Sequence, residues 1–225
     1  QDFSYSPASD RLFFRSYLMT DDSAEYYFNS MKSDGSDFRS RLTTDDRRSE
    51  ISFTADGSGY YVSTMYNDEG QTCTLVKTDA DGNDVSSLPL SPEGIDNDFY
   101  VDGICAAEDY LFVNCYNNIY VFGYDGSFIC KMSAENMSAW NMVKGASGTV
   151  YVLSYSNGFA LYKADMTNKE LVKAALPFDE VYSSGTYPVS GYGDSELFIT
   201  DGTAFYSYDP EAGTKTELFN WIDSG

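Results

Sequence analysis

A short phrase ending in aspartate returns five times along the chain, and no other feature constrains the fold as much. It reads Met31-Lys32-Ser33-Asp34, Val76-Lys77-Thr78-Asp79, Phe122-Gly123-Tyr124-Asp125, Tyr162-Lys163-Ala164-Asp165 and Tyr206-Ser207-Tyr208-Asp209. The aspartates stand 45, 46, 40 and 44 positions apart. A period in the forties, carried by short strand-like pieces, marks a β-propeller array. One such unit cannot bury its own apolar faces and must stack on its neighbours.

A second signature runs in step with the first. Polar, glycine-rich turns precede the bulky stretches Leu12-Phe13-Phe14, Tyr60-Tyr61-Val62, Tyr110-Leu111-Phe112, Val150-Tyr151-Val152 and Leu197-Phe198-Ile199. Turns of that kind between β-rich runs read as hairpins. After each aspartate comes a turn such as Asp34-Gly35-Ser36 or Asp125-Gly126-Ser127, in which Gly supplies positive φ and Asp caps the turn. Outer strands are expected near 37–42, 84–88, 128–132, 170–175 and 214–220.

The sequence therefore predicts an all-β chain, a β-propeller of five four-stranded antiparallel blades in one domain over 1–225. The blades fall at about 1–48, 49–97, 98–138, 139–180 and 181–225. A fragment of a larger propeller is the alternative. Apolar content of 42% and aromatic content of 16% suit half-buried pleated surfaces. No apolar run reaches the length of a membrane span, so direct membrane insertion is not expected.

The charge of −21 sets this chain against nucleic acid phosphates and anionic lipid. All six arginines lie before residue 49, and Arg47-Arg48 are expected to pair with Asp45, Asp46 and Glu50. There is no histidine, which removes the commonest general base and metal ligand. Cys73, Cys105, Cys115 and Cys130 form no C-x-x-C pair and read as small apolar residues. The run from Asp79 to Asp84 has part of a calcium-loop pattern. Gly82 breaks its order and Leu90 stands where the distant Glu belongs, so it reads as a structural turn. Neither a metal nor an organic cofactor is expected. No pair of acids stands out for glycoside hydrolysis, although five-bladed propellers host that chemistry in some families.

What remains is a binding surface on propeller loops. The loops between second and third strands, and the connections between blades, share one face. They carry Tyr66, Asn67, Tyr116, Asn117, Tyr155 and Asn157, with Trp140 and Tyr182 on the connections. Tyr and Trp offer flat rings with a polar handle, and Asn is both donor and acceptor. The set suits a glycan, an extended peptide or a protein partner.

The phrase Tyr162-Lys163-Ala164-Asp165 and its relative Met31-Lys32-Ser33-Asp34-Gly35-Ser36 resemble the YxxDxDGS turns of secreted bacterial propellers, the PQQ-like and DUF5050-like repeat proteins. The ending from Glu217 to Ser224 resembles the junction in Gram-positive surface lipoproteins. There an amino-terminal propeller precedes the extracellular solute-binding domain of a sugar-type ABC importer. That resemblance implies an exported protein, anchored at the cell surface, with an adjoining solute-binding domain. No PQQ-enzyme residue matches here. Gln1 and the closing Trp221–Gly225 read as cuts in a longer native protein. The expected function is a non-enzymatic extracellular binding or protein-interaction module associated with carbohydrate or solute capture. A hydrolase-like propeller and a ligand-free spacer are the alternatives.

Overall fold

The computed structural model describes residues 3–19, 24–43, 47–67, 70–90, 99–145, 147–155, 159–175, 187–192, 196–200 and 203–220. At 47, 48, 66, 67, 70, 155, 159, 187–192 and 196 only the course of the backbone is described. Every described element is a strand. The first sheet contains β1 (Phe3–Ser6), β2 (Arg11–Met19), β3 (Ala24–Lys32) and β4 (Arg39–Thr43). In the second, β5 (Arg47–Arg48) and β6 (Ser52–Phe53) both pair with β7 (Gly59–Asn67), so together they make one interrupted first strand. It continues with β8 (Gly70–Thr78) and β9 (Asp84–Pro89). The third contains β10 (Gly103–Ala106), β11 (Leu111–Cys115), β12 (Asn118–Phe122) and β13 (Phe128–Met132). The fourth contains β14 (Ala139–Lys144), β15 (Val150–Tyr155), β16 (Phe159–Asp165) and β17 (Glu170–Ala174). The fifth contains β18 (Tyr187–Tyr192), β19 (Glu196–Thr200), β20 (Ala204–Asp209) and β21 (Thr214–Asn220).

Strand order follows chain order in all five sheets, each an antiparallel meander. This is the five-bladed β-propeller class that the repeat predicts. The outer strands start and stop within two residues of the expected ranges. By compactness the chain divides into two units, Gln1–Phe112 with Phe122–Ile129, and Val113–Val121 with Cys130–Gly225.

In the first unit the core gathers Phe13, Ile51, Phe53, Tyr61 and Val76. Phe13 lies 5.1 Å from the Phe53 ring and 5.9 Å from Phe28, tilted and stacked respectively. Successive sheets are also stitched by hydroxyls at their first strands. Ser4 donates to the Ile51 carbonyl, and the Ala106 amide donates to Ser52 Oγ at 2.8 Å. In the second unit Val143, Tyr151, Leu153, Leu161, Leu197, Ile199 and Tyr208 form the core. Tyr208 is fully buried, and its hydroxyl donates to the Ala175 carbonyl at 2.8 Å. Burial holds the Tyr208 hydroxyl in its neutral form, with its pKa pushed up to about 12. Cys105, Cys115 and Cys130 are buried, and burial raises the Cys130 thiol.

The recurring aspartates serve the turns that follow them. Asp34 Oδ1 accepts from the Ser36 amide at 2.8 Å, and Asp125 Oδ1 from the Ser127 amide at 3.0 Å. Asp79 accepts from the Asp81 and Asn83 amides and from the Asn83 side chain, each at 2.9 Å. The segment with calcium-loop character is therefore an ordinary hairpin turn in which Asp79 is the acceptor. Hydrogen bonds from Ser36, Ser127 and Asn168 hold the Asp34, Asp125 and Asp165 carboxyls below their ordinary range. A carboxyl depressed in the folded state stabilises it above the unfolded pKa, and that contribution goes as pH falls through the folded pKa. The melting temperature is thus expected to hold above about pH 5 and to drop below about pH 4. Combining Asp34→Asn, Asp125→Asn and Asp165→Asn should flatten the acid limb of a melting-temperature profile. An unchanged slope would show that other groups set it.

Candidate functional site at the Tyr116 turn

A meander places the turns between first and second and between third and fourth strands on one edge of the sheet. The turns between second and third strands occupy the opposite edge. In the third sheet that opposite edge is a two-residue link, Tyr116-Asn117, between β11 and β12. Tyr116 has φ 64°, while Asn117 is not among the positive-φ residues. The Asn117 amide donates back to the Cys115 carbonyl at 2.8 Å, which makes Tyr116 the centre of a classic γ-turn, a rare and strained conformation. For a bulky side chain this is a genuine outlier, costing of order 1–3 kcal/mol.

Three further hydrogen bonds hold the strained turn. The Tyr116 amide donates to Asn114 Oδ1 at 3.0 Å, and Asn114 Nδ2 donates to the Ala139 carbonyl at 3.2 Å. The Ala139 amide returns a bond to the Tyr116 carbonyl at 2.6 Å. Asn114 is only 2% exposed, so its amide works as a buried clip between the turn and β14. Nothing in the sequence marks this asparagine, which was not among the predicted site residues.

The clip places the turn against the start of β14, where Trp140 sits. Trp140 was expected in a connection between blades; it lies inside a strand instead. Ala139 pairs with Ser154 and Asn141 with Leu153, so Trp140 is the extra residue of a β-bulge. Bulges re-aim side chains, and Trp140 is 53% exposed where a regular strand in this position would alternate inward and outward. A bulge also interrupts β18 between Pro188 and Ser190, so the irregularity belongs to the repeat, while the tryptophan belongs to this sheet. Tyr116 is 59% exposed, and Asn117 is exposed beside it.

The structure thus brings Tyr116, Asn117 and Trp140 to one edge. Tyr66 and Asn67 were expected in a loop, as was Tyr155. They form the last residues of β7 and β15, because those hairpins extend further than their composition suggests. Asn157 and Tyr182 lie outside the described residues. The side chains of Arg47 and Arg48 do so too, and Glu50 meets Arg15 at 3.6 Å. Among the described residues no group of three His, Cys, Asp or Glu side chains is placed to hold a metal. A shallow groove of about 380 Å³ on the second sheet is lined by Tyr61, Ser63, Thr74 and Asp84 among others, and by none of the predicted residues.

No protein-family profile and no curated protein sequence matches the chain. Solved structures do. A Bacteroides caccae protein of unknown function superposes with a TM-score of 0.59 at 9% identity, covering 96% of this chain and 81% of its own. A Xanthomonas campestris gluconolactonase gives 0.55 at 12% identity, covering 98% and 75%. The β-propeller domain of the Pyrococcus furiosus Trilobed protease gives 0.53 at 11% identity, covering 99% and 71%. At such identities the likeness is one of fold, and it places the chain among β-propeller proteins.

Proposed function

We propose that this chain is a non-enzymatic extracellular binding or protein-interaction module. Its recognition edge is the one bearing Tyr116, Asn117 and Trp140, and its ligand is a glycan or an extended peptide. Solute capture beside an ABC importer is the setting this reading favours. One observation carries it. A tyrosine is held at φ 64°, in a conformation that favours glycine, with its side chain 59% exposed. Backbone strain at an exposed aromatic contributes nothing to the core. It persists because Asn114 and Ala139 over-determine the turn. Two pre-set rings lose little conformational entropy on binding, which suits the flat faces of sugars and the side chains of extended peptides.

The test is a glycan-array and peptide screen, followed by titration of hits against variants. Tyr116→Ala and Trp140→Ala should each weaken a hit at least tenfold, about 1.4 kcal/mol. Tyr116→Gly should weaken it as much while raising stability by about 1 kcal/mol, since glycine adopts the turn without strain. Hits that bind all three variants unchanged would remove this edge from the function. Turnover of a bound glycan would replace the binding reading with a hydrolytic one.

A further inference from the structure

The first and second sheets close on each other over one stretch and part beyond it. Phe13 of β2 and Phe28 of β3 pack with Tyr61 of β7 and Val76 of β8. Further toward the β2–β3 and β7–β8 tips, on the same faces, the bulk stops. The second sheet offers Ser63 opposite Thr74 there, and such short side chains do not fill the roughly 10 Å between packed sheets. The first sheet offers Tyr17 opposite Tyr26, 65% and 59% exposed, so neither ring is drawn in to fill the space. The groove of about 380 Å³ opens at this point, with Tyr61 and Val76 at its closed end and Asp84, Ser86 and Ser87 of β9 along its side. All of these residues lie within one compact unit.

Arg41 of β4 borders the groove from the first sheet. Its guanidinium carbon lies 5.9 Å from the centre of the Phe28 ring, and Nη1 lies 3.8 Å from Asp84 Oδ2. That second distance is attraction without a hydrogen bond, and Arg41 makes none among the described residues. Arg11 and Arg39 behave differently, with nitrogens 2.6 and 2.7 Å from Asp37. The fork of Arg41 is thus steadied by the ring beneath it while its five donors stay uncommitted. The hydroxyls of Thr74, Ser86 and Ser87 likewise bond to nothing among the described residues. Asp84 keeps the Tyr61 hydroxyl on Oδ1 at 3.0 Å, and its Oδ2 is left to accept.

This set of groups selects its ligand. A guanidinium fork matches a carboxylate with two parallel bonds. Hydroxyls that both donate and accept match the hydroxyls of a sugar, which do the same. Exposed tyrosine rings suit the flat apolar faces of pyranoses. Residues 1–48 hold seven of the 14 cations against nine acids, a net −2, which leaves −19 on the remainder. An anion therefore meets the least repulsion beside the first sheet. We propose that the groove binds a uronic-acid saccharide, with its carboxylate on Arg41 and its ring hydroxyls on Thr74, Ser86 and Asp84. Two residues along a strand span about 7 Å, so a disaccharide anchored at Arg41 lays its second ring on Tyr26 and Tyr17. The site shares no residue with the Tyr116 edge and does not rest on the function proposed there.

The test is calorimetric titration of the chain with the disaccharides of galacturonate, glucuronate and mannuronate. At least one should bind with a Kd below about 1 mM. Its methyl ester, which keeps the shape and loses the charge, should bind at least tenfold more weakly. Arg41→Gln should weaken the acid form at least tenfold, and Arg41→Lys should recover only part of that loss, because an ammonium has no fork. Tyr26→Ala and Thr74→Val should each weaken it by about threefold or more. Arg39→Gln, on the same strand but engaged with Asp37, should leave affinity within about twofold. Circular dichroism confirms that each variant keeps its β-sheet. Failure of all three uronates to bind overturns the proposal, and so does a folded Arg41→Gln that binds like the parent. An ester or a glutamyl-glutamate dipeptide that binds as tightly as the uronate overturns it as well, as does an Arg39→Gln loss equal to that of Arg41→Gln.

Discussion

Gly126→Ala is expected to destabilise the chain by about 3 kcal/mol, lowering its melting temperature by roughly 6–12 °C. Two effects add. Gly126 has φ 80°, a left-handed conformation that costs an alanine about 1 kcal/mol. An added Cβ would also stand 2.3 Å from Leu88 Cδ1 and 2.8 Å from the Pro89 carbonyl oxygen. The leucine methyl can swing aside, but the carbonyl belongs to β9 and moves only with its strand. Overpacking of that kind costs about 1–3 kcal/mol. Gly35→Ala separates the two effects. Gly35 has φ 83° at the equivalent turn, and its added Cβ would meet nothing within 4 Å. It should cost only the conformational share, about 1 kcal/mol. Equal losses in thermal melts of the two variants would show that the approach of the third sheet's turn to β9 carries no weight.

That contrast also shows which parts of the fold were legible in the amino-acid order. The aspartate turns were, because their chemistry is local. Asp79 needs only residues 81 and 83 to satisfy it, and a period of such turns reports five sheets. The bulky second strands were legible for the same reason, since alternation and a preceding hairpin suffice. Gly126 reads the same as Gly35 in sequence, and only the neighbouring strand makes one of them irreplaceable.

The candidate site was half legible. Tyr-Asn at a hairpin tip correctly suggested an exposed aromatic. Its positive φ did not show, because Asn-Gly or Gly-X is the usual signal for positive φ at a hairpin tip and Tyr-Asn is neither. The clip on Asn114 depends on Ala139, 25 residues away, and the placement of Trp140 depends on a bulge that composition does not encode. The interrupted first strand of the second sheet escaped for a similar reason. Ser49, at that break, donates its amide to the Val62 carbonyl at 2.8 Å, and its Oγ accepts from the Val62 amide. Pairing passes through a side chain there.

Arg11 is the residue whose role sequence reading understated most, and its loss should match that of Gly126. In the sequence it stands only as one of six arginines before residue 49. It is fully buried, the largest such side chain among the described residues. Its guanidinium donates to Asp37 Oδ2 at 2.6 Å, to the Asp37 carbonyl at 2.7 Å and to Ser30 Oγ at 3.1 Å. Arg39 and then Arg11 hold the Asp37 carboxyl below its usual range. Asp37 itself has φ 49°, so the guanidinium grips both the carboxylate and the backbone of a left-handed residue. Arg11→Ala should cost about 3–4 kcal/mol through the cavity and the lost charge-assisted bonds. The carboxylate does not add its own burial penalty, because it is 44% exposed and keeps Arg39 at 2.7 Å. Arg11→Met restores most of the volume without the charge, and should recover about half the loss. A methionine variant as stable as the parent chain would assign the whole effect to volume, as happens when a buried ion pair gives no net gain. The intermediate result is favoured here because methionine cannot hold the Asp37 carbonyl.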